Sequence, residues 1–310
     1  MNTGFKMSRR QMIKIGAAGM AASGASLGLA GCSDAGPSAD MPPAVPPSTE
    51  VSSGSAVGTR TLDRIGLQLY TVREMFDKDP IGTLTAVREI GYDYVESKDS
   101  NYAALDAKET RRVLDDLGLG VESVHVGIDA LDNTLAEQIE NAHIIGAEYI
   151  TIPWLAESYR NGESWKRLGG KFTKLGEDLK KEGLQLAYHN HDFEFDVMEN
   201  GELAFDILLA NTDPNAMKVE LDFYWAVKGG ANIPDWFAKY KGRTRLCHVK
   251  DMDVNGEMVN VGEGTIDFAE LIALQDVSGI EHYIVEHDHP AEPHLEAIEI
   301  SYKALKNLKY

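Results

Sequence analysis

Cysteine is nearly absent from this 310-residue chain: Cys32 and Cys247 are the only two, too few for the disulfide framework that staples small secreted domains. Stability must therefore come from an apolar core, and 43% hydrophobic residues are enough to build one. Basic residues are also scarce. Against 49 Asp and Glu stand 30 Lys and Arg, a formal net charge of −19 that repels phosphate backbones and leaves no basic stripe for nucleic acid. Past Arg64 no apolar run reaches the roughly 18 residues of a bilayer span. No Gly-x-Gly-x-x-Gly follows the first strand-like run, which argues against dinucleotide binding.

The N-terminus is unlike the rest. Arg9 and Arg10 stand together, Lys14 follows, and Ile15 to Ala30 is small and apolar without a charge. That order is a signal n-region and h-region, not a fold element. Ser8-Arg9-Arg10-Gln11-Met12 resembles a twin-arginine signal, and Leu29-Ala30-Gly31-Cys32 resembles a bacterial lipobox with Cys32 as the lipidated residue. The reading predicts a signal over 1–31, whose removal takes away Lys6, Arg9, Arg10 and Lys14 and no acid. Residues 32–62, rich in Pro, Ser, Gly and Ala, bury too little apolar surface to offset their ordering entropy and form a tether. The expected location is outside the cytoplasm, with the membrane touched only through the lipid.

From 63 to 310 a repeating rhythm predicts one barrel domain. Short β-branched or aromatic runs alternate with helix-patterned stretches: Ile65–Tyr70, Tyr92–Glu96, Val121–His125, Tyr149–Ile152, Leu184–His189, Met217–Asp222, Arg245–Val249 and His282–Glu286. Helix stops are explicit, as in Thr83 to Ile90 before Gly91 and Thr110 to Leu117 before Gly118. Eight such units predict a closed parallel (β/α)₈ barrel, an α/β fold.

In such a barrel, alternate residues of each strand face inward and reactive groups gather at the C-terminal mouth. Ionisable residues end most of these runs: Glu96, His125, His189, Asp222, His248 and Glu286. His189 and His191, Glu220 and Asp222, and His248 and Lys250 share parity, so each pair points to one side. A lone His or Glu at a strand end is more often a satisfied hydrogen-bonding group than a ligand. Successive strand ends carrying imidazole nitrogens and carboxylate oxygens instead predict one divalent ion, Mn²⁺, Zn²⁺, Co²⁺ or Mg²⁺. Cys247, of opposite parity to His248, should face the helices and be inert.

Residues 65–308 resemble the xylose-isomerase-like barrel superfamily of sugar isomerases, sugar epimerases, inosose dehydratase and endonuclease IV. The resemblance is carried by Gly66-Leu67-Gln68-Leu69-Tyr70-Thr71-Val72-Arg73, His248-Val249-Lys250-Asp251, Val261-Gly262-Glu263-Gly264-Thr265-Ile266-Asp267-Phe268, Leu221-Asp222 and Val285-Glu286. It implies a metal held by Glu, Asp, His and Glu from strands five to eight, of which Asp222, His248 and Glu286 are present. Where many members read Glu-Asn-His, this chain reads His189-Asn190-His191, so the first ligand is His189, His191 or Glu194 from the following loop. A neutral imidazole there leaves the ion more Lewis-acidic. Trp225 stands where some sugar epimerases carry a His.

The resemblance implies removal of a proton beside a carbonyl, with Glu96, His125, His191 and Lys250 as candidates for proton transfer. Gln68, Tyr70, Trp154, Tyr224 and Trp225 are candidates for contact with a carbohydrate substrate, the aromatics by stacking on a sugar face. The first expectation is a neutral-sugar isomerase or epimerase. A dehydratase or lyase of inosose-like ketones or 3-keto-glycosides shares the same first step, and a sugar-binding lipoprotein without catalysis is the third reading. Asp251 either orients Lys250 or caps the next turn, and Gly262 and Gly264 permit an unusual loop backbone. Oligomeric state is not legible.

Overall fold

The computed structural model describes residues 58–310. The signal, the lipidation at Cys32 and nearly all of the tether therefore lie outside the described residues. Eight parallel strands close on themselves: β1 (Gly66–Gln68), β2 (Tyr94–Lys98), β3 (Gly120–His125), β4 (Tyr149–Ile152), β5 (Gln185–His189), β6 (Met217–Asp222), β7 (Thr244–Val249) and, after the short antiparallel pair β8 (Asp251–Met252) and β9 (Met258–Val259), β10 (His282–Val285). The last strand pairs with the first, Gly66 opposite Ile284, which closes the barrel as the eight-run rhythm predicts.

Helices between the strands stop where the sequence says. Pro80–Ile90 begins with the Asp79 carboxylate accepting from the Gly82 N–H and ends at Gly91. Ala107–Leu117 is capped by Asp106 and ends at Gly118 in the left-handed region, where a side chain would be strained. Outward strand residues such as Tyr188, Leu221 and Cys247 pack into the strand–helix core. Burial, and next the negative charge of Glu220, push the Cys247 thiol well up, in keeping with an inert residue.

The first strand is shorter than its apolar run. Gln68 Oε1 accepts from the Tyr70 N–H at 3.0 Å and caps a tight 3₁₀ turn over Leu69–Val72, so the chain leaves the sheet there. The pair β8 and β9, too short for a periodicity signal, was not expected.

Inside the barrel, Tyr94, Tyr149, Ala187, Leu246 and Ile284 form a separate apolar layer, its floor. The Tyr94 hydroxyl donates to the Tyr283 carbonyl at 2.9 Å and accepts from the Tyr283 N–H at 2.8 Å, pinning the ring across the interior. Gly66 makes this possible, because a Cβ there would come within 2.2 Å of a Tyr94 ring carbon. Gly66→Ala should cost about 1–3 kcal/mol by overpacking. Urea denaturation showing no loss would mean that the Tyr94 ring can move aside freely.

Candidate active site

Above this floor, seven of the eight barrel strands contribute polar inward residues to the C-terminal mouth. Gln68 and Glu96 come from β1 and β2, His125 from β3, His189 from β5, Glu220 and Asp222 from β6, and His248 from β7; Lys250 and Glu286 follow directly after β7 and β10. All are buried. Alternation on a parallel strand is the whole reason: Ala187 and His189, Glu220 and Asp222, and Leu246, His248 and Lys250 are each two residues apart.

The carboxylates and imidazoles are interlocked. His248 Nδ1 lies 2.7 Å from Glu286 Oε2 and its Nε2 lies 2.6 Å from Glu96 Oε2. His125 Nε2 lies 2.7 Å from Glu220 Oε2 and 3.2 Å from Glu96 Oε2, while Gln68 Nε2 donates to Glu96 at 2.8 Å. Lys250 Nζ sits among Glu286, Asp222 and Asp288 at 2.6, 3.0 and 2.9 Å.

Protonation follows from these neighbours. Burial would neutralise His125, but Glu96 and Glu220 push it up to about 10. His248 is likewise driven well up against burial by Glu220, Glu286 and Glu96. Burial raises the Glu96 carboxyl, yet His125 and His248 hold it well below the usual carboxylate range. Glu286 is held low against burial by Lys250 and His248. Burial, then the charge of Glu96, raises Glu220 to about 7, and burial partly offset by Lys250 raises Asp222 to about 6. His189 and His191 go the other way. Burial and then the positive charge of His248 hold His189 well below its usual range, and burial with Lys250 lowers His191 to about 3.

One group of potential ligands is the predicted set. Atoms of His189, Asp222, His248 and Glu286 lie within 4.8 Å of one another. Asp222 Oδ2 is buried beside Lys250 Nζ at 3.0 Å, and His189 Nε2 and His248 Nδ1 both face it from 3.8 Å, too far for hydrogen bonds. Two imidazole nitrogens turned toward a buried carboxylate pair at that spacing fit a divalent cation.

Of the three candidates for the first ligand, the geometry brings forward His189. Glu194 is turned away, with Oε1 accepting from the Tyr188 hydroxyl at 2.5 Å and Oε2 from the His191 N–H at 2.7 Å. His191 belongs to neither of the His/carboxylate donor groups at the mouth and stacks on Phe193. Asn190 between them ties the ends of two strands together, its Oδ1 accepting from the Asp222 N–H at 2.9 Å.

A cavity of about 460 Å³ opens above the donors, and Gln68, Tyr70, His125, Trp154, His191 and Lys250 line it as expected. Three of the candidate residues do not line the cavity. Glu96 is wholly buried and contacts His125, His248 and Gln68. Tyr224 points its hydroxyl at the Gly256 carbonyl, 3.1 Å away, and accepts from Lys228, outside the cavity. Trp225 backs the His191 ring at 5.2 Å and does not line the cavity either.

Asp251 does not contact Lys250. Its carboxylate accepts from the N–H groups of Met252, Gly262, Gly264 and Ile266, and so holds the glycine loop, with Gly262 at φ +92. Missed from sequence were Glu220 as a potential ligand and the cavity-lining residues Lys98, Asp99, Asp288 and His289. The parity of Glu220 with Asp222 was the available signal for the first. The others sit on loops, where no periodicity operates.

The fold and site define a class: a parallel (β/α)₈ barrel with a buried imidazole and carboxylate donor set at its C-terminal mouth. The chain belongs to the xylose isomerase-like TIM barrel family, which matches residues 84–308. Inosose dehydratase of Clostridium perfringens is 26% identical over 188 residues, 55% of this chain and 62% of that protein. The chain thus matches less than two thirds of that relative's length. A solved sugar phosphate isomerase/epimerase from Parabacteroides distasonis is 26% identical with a TM-score of 0.69, covering 86% of this chain and 100% of that one. The IolI protein, solved with a zinc atom, has a TM-score of 0.61 at 18% identity over 78% of this chain and 96% of that chain, a likeness of fold.

Proposed function

We propose that this protein is a divalent-metal-dependent enzyme that removes a proton beside the carbonyl of a neutral polyhydroxylated ketone and then expels water. The observation that carries the reading is a four-residue imidazole and carboxylate donor set beside a cavity whose wall carries two further imidazoles, His125 and His191. His189 lies between them, with ring centroids 5.5 Å from His125 and 5.1 Å from His191.

A divalent ion held by His189, Asp222, His248 and Glu286 would supply Lewis-acid polarisation of a carbonyl and a partner for the negative charge that develops beside it. His191, on the cavity wall, is placed to take the proton from the α-carbon. His125, held between Glu96 and Glu220, is placed to give one to the departing β-hydroxyl. One C–H and one C–O bond break, a C=C bond forms and water leaves. Lys250, held by three carboxylates, faces the cavity to orient a substrate oxygen, and Tyr70 and Trp154 offer ring faces to the carbon skeleton. On the cavity wall Lys98 and Lys250 are matched by Asp99, Asp288 and Glu286, and Lys250 is already paired, so the lining offers no free cationic cluster for a phosphate dianion.

Loss of water is preferred over isomerisation because the curated relatives are inosose dehydratases and because elimination needs an acid as well as a base. Isomerisation or epimerisation is the second reading, favoured by the 26% identity to the Parabacteroides protein. Both begin with the same proton. Metal-loaded protein incubated in D₂O with inososes, 3-keto-glycosides and free ketoses should therefore put deuterium on the α-carbon, with an unsaturated product by NMR. An isomer without unsaturated product would select the second reading. No exchange or conversion with any neutral ketone would leave a binding protein, and efficient turnover of a sugar phosphate alone would overturn the neutral substrate.

We further propose that the enzyme works outside the cytoplasm on a lipid carried by Cys32. Wild type should partition with membranes and Cys32→Ala should not; wild type recovered in the cytosol would refute this.

A further inference from the structure

A second donor group lies one layer deeper than the first. Atoms of His125, His189, Glu220 and His248 are within 4.8 Å of one another, and all four side chains are buried. Three nitrogens from three strands surround one oxygen: Glu220 Oε2 is 2.7 Å from His125 Nε2, 3.3 Å from His189 Nδ1 and 3.3 Å from His248 Nε2, with Glu96 Oε2 bracing two of the rings at 3.2 Å from His125 Nε2 and 2.6 Å from His248 Nε2. Tetrahedral ligands at ordinary zinc distances stand about 3.3 Å apart, so little movement would bring these four onto one ion.

Two of the atoms are orphaned in a way hydrogen bonding does not relieve. His189 Nδ1 and Glu220 Oε1 are buried with no partner, although His189 Nδ1 is close to the other oxygen of Glu220. Both point to a ligand at this level of the barrel.

The two layers share rings but not atoms. His189 turns Nδ1 toward Glu220 and Nε2 toward Asp222, 3.8 Å away. His248 turns Nε2 toward Glu220 and Nδ1 toward Asp222 and Glu286. A glutamate at position 189, as the family resemblance leads one to expect, would offer no such pair of opposed nitrogens.

We propose that this chain has an inner cation position formed by His125, His189, Glu220 and His248, selective for zinc and mutually exclusive with the outer one. Three nitrogens and one oxygen suit a borderline-soft ion, while two carboxylates in the outer set suit a harder ion such as manganese. Zinc would displace to solvent the protons that His125 Nε2 and His248 Nε2 hold against Glu220 and Glu96, and exclusion follows from lone pairs, since a neutral imidazole has one to give. When His189 and His248 serve the inner ion, their outward nitrogens carry protons and donate to Asp222 and Glu286. Zinc in the inner position therefore dismantles the outer one. The inner position stands on its own donors, though the regulation it implies rests on the outer-site reading above.

Crystals of the full chain soaked separately in zinc chloride and manganese chloride, with anomalous maps at each metal's edge, test this directly. The zinc peak should lie among His125, His189, Glu220 and His248, and the manganese peak between Asp222 and Glu286. In solution, Glu220→Gln should weaken zinc binding by more than the 10–100-fold typical of losing a supporting hydrogen bond, and leave manganese binding within about tenfold. Circular dichroism checks that the variant folds; if it does not, the wild-type maps decide. Zinc found only between Asp222 and Glu286 overturns the inner position and leaves the outer-site reading intact, whereas no peak for either metal overturns both.

Discussion

Replacing Asp222 with Asn, or Glu286 with Gln, should abolish stoichiometric manganese binding and lower turnover of the ketone substrate by about a thousandfold or more. Such a loss corresponds to about 4 kcal/mol of transition-state stabilisation, the scale on which Lewis-acid polarisation of a carbonyl operates. Both substitutions nearly preserve shape, so the loss would report charge. Lys250 keeps two of its three carboxylate partners in either variant, and so is not left as an uncompensated buried charge. Elemental analysis after dialysis, kcat and a thermal melt form the necessary set. Full metal content with full activity in either variant would remove the outer donors from the mechanism.

Metal loading should raise thermal stability, and by more at alkaline pH than at neutral pH. Glu96, Glu220, Asp222, Glu286 and Asp288 crowd around Lys250 and two charged imidazoles, so the metal-free cluster depends on retained protons. His125 has its folded pKa raised to about 10. A raised histidine contributes stability that is complete below its unfolded value of about 6.5 and is lost as pH climbs through the folded value. Each proton kept only in the folded state lowers stability by about 1.4 kcal/mol per pH unit across that window. Glu220, raised to about 7, acts in the same direction up to that pH. An ion binds the deprotonated ligands and takes over the protons' charge. At a thousandfold excess over its dissociation constant it contributes about 4 kcal/mol. For a domain of this size that is about 8–16 °C in Tm. Melts with EDTA or with added metal, at pH 7 and pH 9, measure the effect, and an equal or smaller metal shift at pH 9 would contradict it.

Much of this was legible because strand alternation is a strict rule. His189, Asp222 and His248 are the inward strand-end residues of β5 to β7, and Glu286 directly follows β10, so parity alone brings their side chains to one mouth. The boundaries moved only where a side chain intervened, as when Gln68 capped its own turn. What parity could not reveal was depth. Glu96 and His125 both end inward-facing runs, yet Glu96 is wholly buried and His125 lines the cavity, and the pairing of their strands shifts register between Val95 and Glu96. Nor could it reveal Tyr224 and Trp225 turning into the helix Phe223–Lys228, since the Asp222 carboxylate accepting from the Trp225 N–H starts that helix immediately after the strand. Glu194 shows the same limit, its loop geometry having no periodicity to read.

The apolar floor has a consequence for traffic. Tyr94, bolted to the Tyr283 backbone and completed by Tyr149, Ala187, Leu246 and Ile284, stops the barrel at its lower end. Molecules reach the donors through the mouth, and on the proposed reading a product would leave by the same path. Product would then compete with substrate for one space, and the rate of emptying would limit the rate of filling.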